Sequence, residues 1–102
     1  GLSFMGEAEA GGIGSIGYIK RAKKLLKLQV NDGDGSRQIV SGIAPWYKPE
    51  DLIGKKVVIV ANLKPAKLCG EMSNGMLLAG DVGDHDVQVL FVDGMPAGTQ
   101  IR

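Results

Sequence analysis

The run of four β-branched residues from Val57 to Val60 constrains the fold more than any other feature of the sequence. Two lysines precede the run, and Asn62 follows it closely. Valine and isoleucine favour extended backbone, and an unbroken apolar run is typical of a strand that is buried on both faces. We therefore predict that this segment is a central strand of a β-sheet.

Other segments have the length and composition of short strands. They are 25–30, 37–43, 75–80 and 87–92. The turn-forming residues at 31–35 predict a hairpin between the first two of these segments. Glycines make the first 24 residues hard to assign, although Ile13, Ile16 and Ile19 can supply a first strand. Because Pro65 cannot continue a strand, we predict a loop over 64–75.

One short helix is predicted between the strands, within 44–54. Pro49 suits a first helical position, acidic residues follow it, and Gly54 can end the turn. Trp46 and Tyr47 are expected to pack this helix onto the sheet rather than to stack on nucleic-acid bases. Many short strands with one helix predict the all-β class and a small Greek-key barrel.

The length of 102 residues fits a single domain over 1–102. A hydrophobic fraction of 44% and a charged fraction of 23% are ordinary for a globular protein. No apolar run approaches the roughly 18 residues that cross a bilayer, and the opening lacks the layout of a secretory signal. We expect a cytoplasmic protein with no membrane partner.

The charge of the chain is unevenly distributed although the net charge is only +1. Residues 20–67 hold eleven basic and four acidic side chains, whereas residues 68–102 hold one arginine and five acids. This asymmetry suits phosphate contact on one face. A set of solvated lysines on strand edges and turns explains the same count, so charge alone leaves the alternatives open.

The sequence offers no convincing catalytic constellation. Cys69 is the only cysteine and His85 the only histidine, which excludes an internal disulfide and makes a metal site improbable. Neither Ser41 nor Ser73 has the surroundings of a serine nucleophile. The glycine-rich start lacks the spacing of a phosphate-binding loop. We expect no enzyme activity, no cofactor and no metal.

A continuous stretch, RQIVSGIAPWYKPEDLIGKKVVIVANLKPAKLCGEMSNGMLLAG over 37–80, resembles the tRNA-binding domain at the C-terminus of methionyl-tRNA synthetases. Similar domains occur in a stand-alone dimeric tRNA-binding protein, the CsaA chaperone and the EMAP II cytokine. AKKLLKLQV over 22–30 and PAGTQI over 96–101 extend the resemblance, and NLKPAKLCGEMSNGM over 62–76 is its most specific part.

The resemblance implies a five-stranded Greek-key barrel of the OB-fold type, with a short helix and a C-terminal strand extension. It implies a homodimer that binds the outer corner of tRNA by shape and backbone contacts, linked to or associated with an aminoacyl-tRNA synthetase. A CsaA-like chaperone that binds unfolded peptides in an apolar groove is the alternative.

The resemblance also implies a set of tRNA-binding residues. They are Lys24, Asn62, Lys64, Lys67, Ser73 and Met76. We expect Lys67 to be the main phosphate ligand and Ser73 to be a hydrogen-bonding partner, both outside the core. For Met76, core packing is favoured over contact with a base.

The N-terminal residues 1–21 depart from the family pattern. The family opens with a strand like DLRVGKI and a loop that carries a His-Pro pair, whereas this chain has EAEAGGIGSIGYIKRA. Without gaps, the first strand starts at Glu7. If it is placed instead on Ile16, the first loop becomes much shorter.

Overall fold

The computed structural model describes residues 7–83 and 86–101. Its elements, in chain order, are β1 (Ala8–Ile19), β2 (Ala22–Asn31), β3 (Ser36–Ser41), α1 (Pro49–Leu52), β4 (Lys56–Val60), β5 (Ala66–Leu68), β6 (Glu71–Ser73), β7 (Met76–Leu77), β8 (Ala79–Asp81), β9 (Val87–Val89) and β10 (Gln100–Ile101). The main antiparallel sheet has the order β3-β2-β1-β4-β7, and β10 pairs with β1. The predicted all-β class with one short helix is confirmed.

The strand β4 lies inside this sheet, as predicted from its β-branched run. It pairs with β1 on one side and with β7 on the other. All four residues from Val57 to Val60 are buried. A strand of this kind can be apolar on both faces because other elements cover each face.

The glycine-rich N-terminal segment forms β1, which is the longest strand of the described residues. Its first half, from Ala8 to Gly12, pairs with β4, and its second half pairs with β2. A side chain at Gly11 would collide with Val30, so close packing requires glycine there. Of the two possible placements, the one that starts the first strand at Glu7 agrees with the structure. Residues 1–6 lie outside the described part.

The helix α1 begins at Pro49 and is a single turn, as predicted. Its Leu52 is completely buried, and the backbone amide of Gly54 donates a hydrogen bond to the carbonyl oxygen of Ile13 in β1. Tyr47 packs against the core beside the helix, and its hydroxyl accepts a hydrogen bond of 3.0 Å from Val89 N. The structural role expected of Tyr47 is confirmed.

Two sequence predictions of local structure were wrong in part. The segment 64–75 is not simply a loop, because β5 and β6 form a hairpin within it. The expected strand over 87–92 ends at Val89, since the chain then leaves β8 and Phe91 bridges to Val57 of β4. Val92 N donates to the carbonyl oxygen of Lys56 at 2.8 Å, which fixes this change of partner.

Two hydrogen bonds join β3 to the last residue of β6 and to the residue that follows it. Val40 N donates to Ser73 Oγ at 2.9 Å, and Asn74 N donates to the carbonyl oxygen of Gln38 at 2.7 Å. The strand β3 and the residues that lead into β7 therefore meet beside Ser73, although β3 and β7 stand at opposite ends of the strand order. In the described ranges, no helix has the length and apolar character of a membrane-spanning segment.

Candidate functional site

The hairpin formed by β5 and β6 lies over the outer surface of β2 and β3. Glu71 accepts a hydrogen bond of 3.4 Å from Lys27 Nζ on β2. Gln38 on β3 donates from Nε2 to the carbonyl oxygen of Met72 at 2.8 Å. These polar contacts hold the hairpin in place although the side chains from Ala66 to Cys69 are exposed.

Ser73 is the anchor at the end of this hairpin. It is only 4% exposed, and its hydroxyl accepts from Val40 N and donates to the carbonyl oxygen of Gly75 at 2.9 Å. The expectation that Ser73 lies outside the core was wrong. Because the hydroxyl proton is already used within the fold, Ser73 acts on a ligand chiefly by holding the hairpin.

An open groove of about 350 Å³ runs between β3 and the hairpin. Val40, Leu63 and Leu68 give it apolar walls, and Lys64 and Met76 lie at its edge. Met76 is 49% exposed, so the favoured core interpretation was wrong and its thioether is available to a ligand. Leu77, the next residue, is buried instead.

Three of the expected lysines, Lys24, Lys64 and Lys67, are exposed. Lys64 lines the groove, and Lys67 lies on β5 opposite Met72. Lys24 lies farther along the same side, since its carbonyl oxygen is close to Gly42 at the groove wall. Among the described residues, none of the three has a carboxylate oxygen within 4.0 Å.

Asn62 lies directly beyond β4 and is exposed. Its Oδ1 accepts a hydrogen bond of 2.6 Å from the backbone amide of Glu7. Asn62 therefore connects the start of β1 to the residues that lead into the β5–β6 hairpin. Of the expected residues, Lys64, Ser73 and Met76 line the groove. Lys67 lies on β5 of the adjoining hairpin, Asn62 follows β4, and only the backbone of Lys24 is close to the groove residue Gly42.

The structural role of Arg37 was not predicted from the sequence. Its guanidinium forms an ion pair with Asp32 at 2.8 Å. The same group donates to the carbonyl oxygens of Ala61 at 2.8 Å and Asn74 at 2.9 Å. Arg37 thus connects the turn between β2 and β3 to residues on both sides of the β5–β6 hairpin. The turn-forming sequence at 31–35, which contains Asp32, was the one sequence feature that pointed to this role.

Two carboxyl groups near this arginine have altered pKa values. Burial alone would raise the pKa of Asp32, but the hydrogen bond from Arg37 and the amides of Asp34 and Gly35 outweigh it and lower that pKa. The pKa of Glu9 is raised, first by burial and then by the negative charge of Asp32. Both effects belong to the fold and identify no acid or base poised for catalysis.

The chemistry available at this surface is that of contact. Ammonium groups, a thioether and apolar groove walls lie within one region, and these suit phosphates and bases. Within residues 7–83 and 86–101, no three histidine, cysteine or acidic side chains are grouped to hold a metal. His85, expected to have no catalytic role, lies outside the described residues.

The chain matches known proteins over most of its length. Residues 9–100 match a family model described as a putative tRNA-binding domain. The chain is 56% identical over 85 residues to a methionine–tRNA ligase of Methanocaldococcus jannaschii and 53% identical over 85 residues to one of Bacillus subtilis. Each match covers 82% of this chain and 13% of the ligase, so the chain spans about an eighth of the length of these relatives.

Solved structures give the same result. A methionyl-tRNA synthetase-related protein from Pyrococcus horikoshii superimposes with a TM-score of 0.91 at 39% identity, covering 97% of this chain and 92% of that one. The chaperone CsaA from Bacillus anthracis superimposes with a TM-score of 0.86 at 28% identity, with the same coverage. The chain therefore belongs to the family of putative tRNA-binding domains.

Proposed function

We propose that this chain is a noncatalytic module that binds tRNA through the segment from Asn62 to Met76. The observation that carries the proposal is the group of exposed lysines, without carboxylate partners among the described residues, around the groove of the hairpin. The net charge is only +1, but these cations can contact phosphates because no carboxylate of the described residues neutralises them. Family membership supplies the identity of the polyanion.

Each residue of the segment has a distinct part in the proposed contact. Lys67 and Lys64 bind backbone phosphates from either side of the groove, and Lys24 extends the basic surface. Met76 packs on an exposed base or sugar. Ser73 and Asn62 keep the hairpin and the end of β4 in position through their internal hydrogen bonds. Because backbone contacts carry no sequence information, recognition depends on the shape of tRNA.

The place of the module in the cell follows from the same reasoning. The relatives that it matches are methionine–tRNA ligases of much greater length. We infer that it works in the cytoplasm as a covalent appendix of such an enzyme or as a separate protein associated with one. In either case it holds tRNA, and the ligase chemistry belongs to a separate catalytic domain.

We also propose that the module is a homodimer. Large apolar side chains remain exposed in the C-terminal third, where a single copy of the described chain does not cover them. They include Val82, Leu90, Phe91 and Met95. Pairing through this region gives a two-fold interface and places two tRNA-binding surfaces on one particle.

A second candidate function is the binding of unfolded peptides. It is favoured by the apolar walls of the groove and by the structural similarity to the chaperone CsaA. An extended peptide with apolar side chains fits such walls as well as a base does. A competition experiment distinguishes the two functions. If the groove binds peptides and not tRNA, added tRNA displaces little of a bound apolar peptide.

The test of the proposed site compares Lys67→Ala with Lys55→Ala, a lysine of equal charge at the far end of β4. The five-residue strand β4 stands between them in the chain and spans roughly 17 Å. We expect Lys67→Ala to lose about tenfold in affinity for tRNA, equal to about 1.4 kcal/mol, and to reduce the salt dependence of binding. Filter binding of unmodified tRNA transcripts over a salt series measures both.

Lys55 is half exposed and pairs with Asp93 at 3.8 Å, so its removal tests charge without touching the hairpin. Equal losses in Lys55→Ala and Lys67→Ala contradict the assigned site and indicate diffuse electrostatic attraction. Thermal unfolding of both variants checks that the fold is intact. Strong preference for a single tRNA species contradicts recognition by shape.

A further inference from the structure

The turn between β1 and β2 carries a second basic surface. No acidic residue occurs between Glu9 and Asp32, and this stretch holds five basic residues: Lys20, Arg21, Lys23, Lys24 and Lys27. Within the described part of the chain, only Lys27 among them has a carboxylate within 4.0 Å. The other four are exposed. The positive charge at this turn is therefore available to an external anion.

An aromatic residue, Tyr18, precedes these cations closely in the sequence. Tyr18 is 61% exposed, although its backbone pairs with Leu26, which is completely buried. The strand thus holds the residue firmly while the ring faces solvent. The neighbouring Gly17 points to the opposite face of β1, and a side chain there would meet no atom within 4 Å, so this end of the strand is uncovered on that face as well. The exposed ring contributes little to the core.

A bulge in β2 lies across from the end of β1 that carries Tyr18. Tyr18 lies opposite Leu26, but the next residue, Ile19, lies opposite Ala22. Three residues of β2, 23–25, therefore oppose a single step of β1. Bulges of this type redirect side chains out of the regular alternation. Here the bulge adds two ammonium groups to the end of the hairpin that carries Tyr18.

The combination of an exposed ring and unpaired cations is the arrangement that binds single-stranded nucleic acid. Bases stack on the aromatic face whatever their sequence, and the cations follow the phosphates. The surface also continues into the groove, because a side chain at Gly42 would lie 3.8 Å from Leu25 of the bulge.

We propose that Tyr18 stacks on an unpaired base of the tRNA held in the groove, while Lys20, Arg21 and Lys23 bind the phosphates on either side of that base. The proposal rests on the proposed function, since it adds a second contact to the same ligand. It assigns a role to residues in the part of the chain that departs from the family pattern.

The test uses two short ligands that differ only in their bases. One is an eight-nucleotide RNA of adenylates, and the other is an abasic ribose-phosphate oligomer of the same length and charge. Wild-type protein is expected to prefer the adenylate oligomer about five- to tenfold, at the lower end of what stacking on an aromatic side chain gives. Tyr18→Ala removes this preference and leaves binding of the abasic oligomer unchanged. Tyr18→Phe, which keeps the ring, restores it.

A second variant separates charge from stacking. Lys20→Ala combined with Arg21→Ala weakens binding of both oligomers to a similar extent and lowers the salt dependence. Thermal unfolding confirms that each variant is folded. Equal affinity of wild-type protein for the two oligomers, or an unchanged preference in Tyr18→Ala, overturns the stacking contact.

The outcome for whole tRNA distinguishes this proposal from the proposed function. If wild-type protein binds tRNA and Tyr18→Ala binds it equally well, only the contact at Tyr18 is wrong. If wild-type protein does not bind tRNA at all, the proposed function fails first. An upfield shift of the Tyr18 ring resonances on addition of the adenylate oligomer reports stacking directly and supports the contact.

Discussion

The guanidinium of Arg37 binds three acceptors that come from different parts of the chain: Asp32, Ala61 and Asn74. A lysine at this position could not reach them together, because an ammonium group lacks the planar fork of donors. Most of the donor capacity is used inside the fold. Arg37 therefore supports the segment from Asn62 to Met76 through contacts inside the fold.

The pH dependence of folding follows from the partner of this arginine. Since the pKa of Asp32 in the folded chain lies below its ordinary value of 3.8, its ionised form stabilises the fold above that value. We expect this contribution to be lost as pH falls below about 4 toward the lowered pKa. Urea unfolding between pH 2 and pH 7 measures the loss.

The variant Asp32→Asn tests this assignment. At pH 7 it is expected to lower the free energy of unfolding by about 1.5–3 kcal/mol, the usual contribution of hydrogen bonds to charged groups. As pH falls through the lowered pKa of Asp32, the stability of wild-type protein approaches that of the variant. Glu9 acts in the opposite direction, because a raised pKa gives stability that is lost as pH rises. An acid limb that is the same in wild-type protein and Asp32→Asn contradicts the role of Asp32.

Two adjacent elements differ in how well the sequence predicts them. The strand β4 follows from its β-branched run, and α1 follows from a proline, two acids and a glycine in the expected order. The hairpin of β5 and β6 does not follow, because its residues are mostly exposed and show no apolar alternation. Its turn also lacks the asparagine–glycine pair that usually marks a two-residue hairpin.

The candidate binding site was predicted from the family resemblance and stays a prediction. Of the residues that the resemblance named, Lys64 and Met76 line the groove, and Lys67 lies on β5 of the adjoining hairpin. The resemblance could not reveal that the hydroxyl of Ser73 is used inside the fold, since burial depends on how β3 meets the hairpin. It also gave no indication of Tyr18, because glycines obscured the strand that carries it.

The turn of the β5–β6 hairpin contains a strained residue. Cys69 has φ of 49° and Gly70 has φ of 82°, the left-handed pair that a type I′ turn requires. Cysteine tolerates this conformation less well than asparagine or glycine. We expect Cys69→Asn to raise the free energy of unfolding by about 0.5–1 kcal/mol, as measured in urea, with no loss of tRNA affinity.

Cys69→Val is the matched opposite change at the same exposed position. A β-branched side chain is disfavoured at positive φ, so this variant should be less stable than wild-type protein. If Cys69→Val and Cys69→Asn have equal stability, the turn is not under conformational strain.

Over the whole molecule, basic side chains are concentrated in one part of the chain. All of them except Arg102 belong to 20–67, whereas large exposed apolar side chains occur both there and in the C-terminal third, where they include Val82, Leu90 and Phe91. A tRNA bound to the basic part leaves the apolar side chains of the C-terminal third available. This arrangement allows tRNA binding and self-association to occur together.

The dimer proposed for this apolar region gives the last prediction. A stable interface buries about 800 Å² on each partner, and apolar side chains at its centre contribute most to the affinity. We expect light scattering at micromolar concentration to give twice the 10.7 kDa mass of the chain. Leu90→Asp, which puts a charge on a 48% exposed leucine, should give the single mass because an unpaired carboxylate cannot be buried at low cost. Tyr18→Asp adds the same charge at the β1–β2 turn and should remain dimeric. A single mass for wild-type protein, or dimers in Leu90→Asp, contradicts this interface.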